Sequence, residues 1–214
     1  MERLTAPSGP PGFLCGVQGQ DLSRIAAFSD GVMAVAITLL VLNIETPRVA
    51  EDDLGEALVD LLPSVLAYVL SFALIGRYWA IHHQLFSKFV RFDGRLVALN
   101  LLFLLLIALV PFSTDLYDQY TDAPLAAAVF AATLAVAALT HLAMTLHAIK
   151  AGLVRTEEEK QELTYGSAVA LGICAVFLLS VPVAFLNTTA AWIMWASLVV
   201  LRYPLRRAVR WVSR

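Results

Sequence analysis

The segment Arg24–Ile44 reads RIAAFSDGVMAVAITLLVLNI. It is long and apolar enough to cross a bilayer as a helix, since a hydrocarbon core of about 30 Å requires about 20 residues. Polar side chains interrupt it at Ser29, Asp30 and Thr38. A polar atom inside a membrane needs a hydrogen-bond partner or water, so these three residues indicate where the segment contacts other helices or an aqueous path.

The remainder of the chain is similarly apolar. Of its 214 residues, 59% are hydrophobic and 15% are charged, a composition outside the range of soluble domains. Further apolar runs of membrane-spanning length fall at 57–80, 94–113, 124–147, 164–186 and 188–204. The sequence therefore predicts an all-α membrane protein, with six transmembrane helices in residues 23–205, a disordered tail at 1–22 and a basic tail at 206–214.

The distribution of charge predicts an orientation. Of the 15 Lys and Arg residues, all except Arg48 lie in the two tails, in the connections between spans 2 and 3 or 4 and 5, or in their flanks. This bias follows the positive-inside rule and predicts that both termini lie in the cytoplasm. We expect a multi-pass protein of the plasma membrane. A net charge of −2 gives no attraction to nucleic acid, and we expect no such partner.

Helical geometry divides the first span into two faces. At 100° per residue, one stripe within about 60° of a single line is formed by Phe28, Gly31, Val35, Thr38, Leu39 and Leu42. Ser29 and Asp30 fall off that stripe and are expected to point into neighbouring helices, because an unpaired carboxylate in a membrane is unfavourable. Their candidate partners, at similar depth on spans 2 and 3, are Trp79, His82, His83 and Asn100. We interpret Ser29 and Asp30 mainly as a polar lock that fixes the first helix.

Three segments occur in an order that resembles a known family. The first is the motif RxxxFSD, formed by Arg24, Phe28, Ser29 and Asp30. The second is WAIHHQLF at residues 79–86, and the third is NLLFLLLIALVPFST at residues 100–114. Together they resemble the transmembrane protein 175 family, the lysosomal potassium channels and their prokaryotic relatives. The resemblance covers about the first 115 residues, and the second half only by its number of spans.

The resemblance implies a function and an assembly. It implies a homotetramer of the prokaryotic single-repeat type, in which the first helix of each copy lines a central pore. It also implies passive, leak-like conduction, with potassium as the permeant ion. The expected partners are membrane lipid and other copies of the chain, and neither a cofactor nor enzymatic activity is expected. Carried over to this sequence, the hydrophobic constriction falls at Val35, with further apolar layers at Leu39 and Leu42, and Thr38 supplies the selectivity layer.

Two features of the sequence bear on this implication. The family more often has a larger aliphatic residue at the constriction than Val35, so the narrowing is expected to be wider here. The common potassium filter sequence TVGYG does not occur in the chain, so selectivity has to come from side chains of the first helix.

Other functions are also compatible with the residues. A proton-coupled secondary transporter or a proton-permeable channel could use Asp30 and the membrane histidines. An intramembrane enzyme or metal protein could use His82, His83, His141 and His147, but neither pair on one helix shares a face, and HExxH, GxSxG and P-loop lysine motifs do not occur. The Val35 stripe could also serve only for packing.

Overall fold

Eight α-helices form most of residues 19–200, the part of the chain that the computed structural model describes. Their bounds are α1 Gly19–Leu39, α2 Leu54–Asp60, α3 Leu62–Phe86, α4 Gly94–Ala108, α5 Val110–Gln119, α6 Pro124–Lys150, α7 Glu157–Ala184 and α8 Thr188–Val200. The all-α prediction is thus confirmed for this part of the chain.

Five helical segments are long and apolar enough to cross a membrane. They are Asp21–Asn43, Leu62–Phe86, Gly94–Gln119, Pro124–Lys150 and Glu157–Ala184. The predicted sixth span at 188–204 corresponds to α8, which has 13 residues within the described range. The remainder of that span lies outside the described residues, so the sixth crossing stays a prediction.

Prolines divide two of the predicted spans. The predicted helix 57–80 is divided at Leu61, and Pro63 occupies the first turn of α3. The predicted helix 94–113 is divided at Leu109, with Pro111 in the first turn of α5. Proline lacks an N–H group and its ring clashes with the preceding turn, but it fits the first turn of a new helix, which places each break just before the proline.

Two helices start earlier in the chain than predicted. α1 begins at Gly19, so the last four residues predicted as a disordered tail are helical, with Asp21 placed favourably in the first turn. α7 begins at Glu157 instead of 164, because Thr156 and Glu159 form a capping box in which each side chain accepts the other's backbone N–H at 3.2 Å. The other residues of both predicted tails, 1–18 and 206–214, lie outside the described residues.

α6 is the centre of the bundle. It contacts α4, α5 and α7. In its most apolar stretch of 18 residues 61% are buried, whereas the corresponding share in Asp21–Asn43 is 22%. Alanines such as Ala127, Ala131 and Ala135 are fully buried and allow neighbouring helices to approach closely. By contrast, α1 lies at the periphery, where it packs on α3, α4 and α5.

Two backbone hydrogen bonds join the α3–α4 and α6–α7 connections at one end of the bundle. The backbone N–H of Val90 donates to the Leu153 carbonyl at 3.0 Å, and the N–H of Arg155 donates to the Lys88 carbonyl at 3.1 Å. Asp93 caps α4 by accepting the N–H of Leu96 at 2.8 Å. The same carboxylate lies 2.8 Å from Nε2 of His147 at the end of α6.

The Asp93 carboxyl has its pKa lowered by these partners. Partial burial raises the pKa, but the hydrogen bonds from Leu96 and His147 and the nearby imidazole charge outweigh that effect. A carboxyl with a depressed pKa stabilises the fold above its unfolded-state pKa, and this stabilisation is lost as the pH falls through the folded-state value.

We predict that Asp93→Ala lowers the melting temperature of the detergent-solubilised protein at pH 7 by about 2–4 °C, as expected for loss of an N-cap. Asp93→Asn, which keeps an oxygen acceptor for Leu96, should have a smaller effect. Acidification from pH 5 to pH 3 should destabilise the wild type more than Asp93→Asn. The exposed Asp122→Asn serves as control, and a melting temperature of Asp93→Ala equal to that of this control would refute the capping role.

Candidate functional site

The inward face of α1 is packed against the bundle. Side chains that are 2% exposed or less recur at spacings of four, three and four residues, at Ser29, Met33, Ala36 and Leu40. This is the period of one helical face. Only one polar side chain, Ser29, lies among these four residues, so the position of its hydrogen-bond partners fixes the rotation of the helix.

The opposite face of α1 is uncovered. We call it the exposed stripe, and it consists of Phe28, Gly31, Val35, Thr38, Leu39 and Leu42. Val35 is 57% exposed and Leu42 is 73% exposed. The residues are those that helical geometry predicted to share one face. A contiguous apolar surface of this kind has to contact lipid or another protein surface.

Thr38 is the polar member of the exposed stripe. Its hydroxyl donates to the carbonyl of Val35 at 2.9 Å, one turn earlier in the helix. The proton of the hydroxyl is therefore used within the helix, and its oxygen lone pairs remain available on the exposed side. Such an oxygen can accept a hydrogen bond from water or act as a ligand to a cation.

A directed chain of hydrogen bonds joins α3, α4 and α1. The Nε2 atom of His82 lies 2.8 Å from Oδ1 of Asn100, and Nδ2 of Asn100 donates to Oγ of Ser29 at 3.0 Å. Ser29 in turn donates to the Ile25 carbonyl at 2.9 Å. Because Oδ1 only accepts, His82 carries its proton on Nε2 in this arrangement. We call these residues, His82, Asn100 and Ser29, the polar chain.

Aromatic rings hold His82 in the orientation that the polar chain requires. The Phe103 ring is stacked on the imidazole with 5.3 Å between ring centres and 7° between planes. Phe86 is stacked as well, with 4.3 Å between ring centres. All three members of the polar chain are 1% exposed or less, so its hydrogen bonds form in a water-poor region, where loss of one partner is most unfavourable.

Asp30 belongs to a second, more exposed contact. The indole Nε1 of Trp79 donates to Oδ1 of Asp30 at 2.8 Å. Trp79 is also stacked on His83, with 5.6 Å between ring centres. This contact lies at the surface of the single chain, beside the exposed stripe, whereas the polar chain lies inside.

Two residues of the RxxxFSD pattern lie apart from these contacts. The Arg24 side chain is 83% exposed and lies 3.6 Å from Asp21. Phe28 is 55% exposed, at the start of the exposed stripe. The structure of one chain therefore brings together Ser29, Asp30 and their partners, but not the first half of the pattern.

Asn43 is a residue of this region that the sequence analysis missed. It ends the 3-10 turn Leu40–Asn43 that continues α1, and its Nδ2 donates to the Pro111 carbonyl at 3.0 Å. This bond attaches the far end of α1 to the break between α4 and α5. A polar residue at the end of an apolar run was the available signal, but its partner is 68 positions away.

Known proteins are similar to this chain in sequence. The family profile described as endosomal/lysosomal potassium channel TMEM175 matches residues 24–111. A protein of Streptomyces collinus named potassium channel is 42% identical over 134 residues, which are 60% of this chain and 65% of that protein. A Gallus gallus protein named endosomal/lysosomal proton channel TMEM175 is 36% identical over 108 residues, 46% of this chain and 22% of that protein. The chain thus spans less than two thirds of the length of both relatives.

A solved structure is similar to this chain over a larger part of its length than these two relatives are. The crystal structure of a lysosomal potassium-selective channel TMEM175 homolog from Chamaesiphon minutus superimposes with a TM-score of 0.77 at 31% identity. The match covers 85% of this chain and 96% of that one. Since it extends over nearly the whole solved chain, and since the family profile includes both the exposed stripe and the polar chain, this chain belongs to the TMEM175 family.

Proposed function

We propose that this chain forms a homotetrameric channel that conducts potassium passively, with the exposed stripe of α1 lining a central pore. The observation that carries the proposal is the uncovered stripe itself, on a helix whose other face is tightly packed. The likeness to bacterial proteins named potassium channel supports the choice of ion. In the proposed arrangement α8 is part of a sixth membrane crossing. The protein lies in the plasma membrane, with both termini in the cytoplasm.

The composition of the stripe favours other copies and water over lipid as its environment. Gly31 has open space where a Cβ would stand, which suits close approach of a second helix. The lone pairs of Thr38 would be unsatisfied against hydrocarbon, but could contact water or ions in a pore. A purely packing role for the stripe would account for Gly31 but not for the hydroxyl of Thr38.

The geometry of the stripe suggests how potassium could be preferred. Rings of four aliphatic side chains at Val35, Leu39 and Leu42 offer no ligands, so they would restrict flow by excluding water and by removing part of the ion's hydration shell. Potassium gives up water more readily than sodium because it is larger. A ring of four Thr38 oxygens next to Val35 would replace part of the lost water.

Proton permeation is the second candidate, favoured by the name of the chicken relative. The polar chain gives it little support as a relay, because its hydrogen bonds end at the backbone carbonyl of Ile25, which does not titrate. Asp30 is bound by Trp79 beside the stripe. We therefore assign both groups to positioning α1 and propose that protons, if they pass, use the same pore as potassium.

Purified protein in liposomes tests the conduction proposal. Potassium should flow down its gradient without ATP and without an imposed proton gradient. A strict requirement for a proton gradient would instead indicate a coupled transporter.

Replacement of the constriction residue tests the pore assignment. Val35→Ala removes two methyl groups from each of the four side chains in the proposed ring and should increase potassium flux while weakening the preference over sodium, because ions keep more of their water. The matched control is Val69→Ala, which makes the same change at an exposed position of α3. Equal flux in the two variants would exclude Val35 from the permeation path.

The hydroxyl of Thr38 is expected to contribute to selectivity. Thr38→Ala should lower the potassium-to-sodium permeability ratio by about two- to tenfold, which corresponds to the contribution of one hydrogen bond, and Thr38→Ser should retain the ratio. Bi-ionic reversal potentials measure it. The control is Thr133→Ala on α6, where the hydroxyl bonds its own helix at Val129. A loss of selectivity in the control as large as in Thr38→Ala would argue against a direct role.

Asp30 is expected to support assembly. Asp30→Ala removes the acceptor of Trp79 at the surface beside the stripe and should reduce the tetramer fraction, whereas Asp30→Asn keeps an acceptor and should assemble. Native mass spectrometry in detergent provides the measurement. Normal tetramer content in Asp30→Ala, with altered proton dependence of the flux, would instead support a relay.

A further inference from the structure

The α3–α4 and α6–α7 connections form one surface at the end of the bundle. Phe89 and Val154 pair as an antiparallel bridge. The two backbone hydrogen bonds between the connections are 3.0 Å and 3.1 Å long. A side chain joins them as well, because Nη2 of Arg91 donates to the Gly152 carbonyl at 3.4 Å. Two segments that are far apart in the sequence are thus held side by side.

A glycine at the end of α6 makes this arrangement possible. Gly152 has a φ of 64°, in the left-handed region that other residues rarely adopt. The N–H of Leu153 then donates to the Ala148 carbonyl at 3.0 Å, which satisfies one of the last carbonyls of the helix. The chain therefore leaves α6 in a sharp turn, and residues 153–155 come to lie alongside residues 88–90.

Exposed basic side chains are concentrated on this surface. We call them the basic patch, and they are Arg91, Arg95, Lys150 and Arg155. Arg95 lies in the first turn of α4, and Lys150 is the last residue of α6. These two helix ends are joined by the contact of 2.8 Å between His147 and Asp93. The four cations therefore come from three helix ends and two connections that contact one another.

The charge of the basic patch is not neutralised by the chain itself. Within residues 19–200, none of its four side chains forms an ion pair with a carboxylate. Most nearby carboxylates have other partners: Asp93 and Glu159 serve as helix caps, Glu157 pairs with Lys160, and Glu162 pairs with Lys88. Glu158 alone among them has no partner in the described part of the chain. The surface therefore carries a net positive charge.

The basic patch lies at the level of the membrane surface. The helices α3 and α6 end beside it, α4 and α7 begin beside it, and all four belong to segments long and apolar enough to span a bilayer. Val90, next to Arg91, is an apolar side chain that is 49% exposed. Adjacent exposed apolar and basic side chains suit the boundary between hydrocarbon and headgroups. Arg77 is not part of the patch, because it lies deep within α3, nine positions before the helix ends at Phe86.

We propose that the basic patch binds the headgroup of an anionic phospholipid. Guanidinium groups bind phosphate oxygens in a planar, two-pronged geometry, and lysine adds a point charge. In the proposed orientation the patch faces the cytoplasm, and the cytoplasmic leaflet is the one rich in anionic lipid. The positive-inside rule accounts for the sign of these residues, but it does not require that the two connections be joined. A bound headgroup would bridge them and so stabilise the shared end of α3, α4, α6 and α7.

Native mass spectrometry of the full chain tests the site, with phosphatidylglycerol or phosphatidylcholine added to the detergent-solubilised protein. The wild type should bind phosphatidylglycerol more tightly. Arg91→Gln should weaken this binding about fivefold, and Arg91→Gln combined with Arg155→Gln about 25-fold, since each basic side chain near an anionic surface contributes about a factor of five. Binding of phosphatidylcholine should not change. The matched control is Arg48→Gln, which removes an exposed arginine from the connection between α1 and α2 and should leave the preference intact.

Three results would overturn the proposal. The first is equal binding of the two lipids by the wild type. The second is an equal loss in Arg91→Gln and in the Arg48→Gln control. The third is displacement of phosphatidylglycerol by an excess of inorganic phosphate, which would assign the patch to a soluble phosphate instead of a lipid. The measurement reports lipid binding and not ion flux, so its failure is independent of the conduction proposal.

Discussion

The hydrogen bond from Asn100 to Ser29 determines which side of α1 is turned into the bundle. Inside a membrane, water cannot replace a missing partner, so a serine on a helix face has to be placed against its acceptor or donor. Once Ser29 is fixed, helical geometry turns Met33, Ala36 and Leu40 inward as well. The exposed stripe is the geometric consequence, and the proposed pore depends on it.

Much of α1 could be predicted, because a single helix has a fixed period. The residues of the exposed stripe follow from spacing alone, and the shortlist of partners for Ser29 and Asp30 contains those that the structure shows. The pairing within that shortlist could not be predicted. Asn100 bonds Ser29 and Trp79 bonds Asp30 because of how α3 and α4 pack beside α1, and this depends on side chains far apart in sequence.

The other differences between the predicted and the observed structure have either local or long-range causes. Pro63, Pro111 and the capping box at Thr156 are visible in the sequence and account for the observed helix breaks and for the start of α7. The depth of Arg77 follows from the extension of α3 to Phe86, beyond the end of its apolar run. Arg77 and His141 line the same cavity although they lie on different helices, and no periodic pattern in the sequence relates them.

The polar chain positions the helix that is proposed to line the pore. The central claim concerns this helix and is tested most directly by a cryo-electron microscopy map of the assembled protein in lipid nanodiscs. The account predicts four copies around one axis, with Val35, Leu39 and Leu42 facing that axis. A map in which Val35 contacts lipid, or faces away from any symmetry axis, would contradict it.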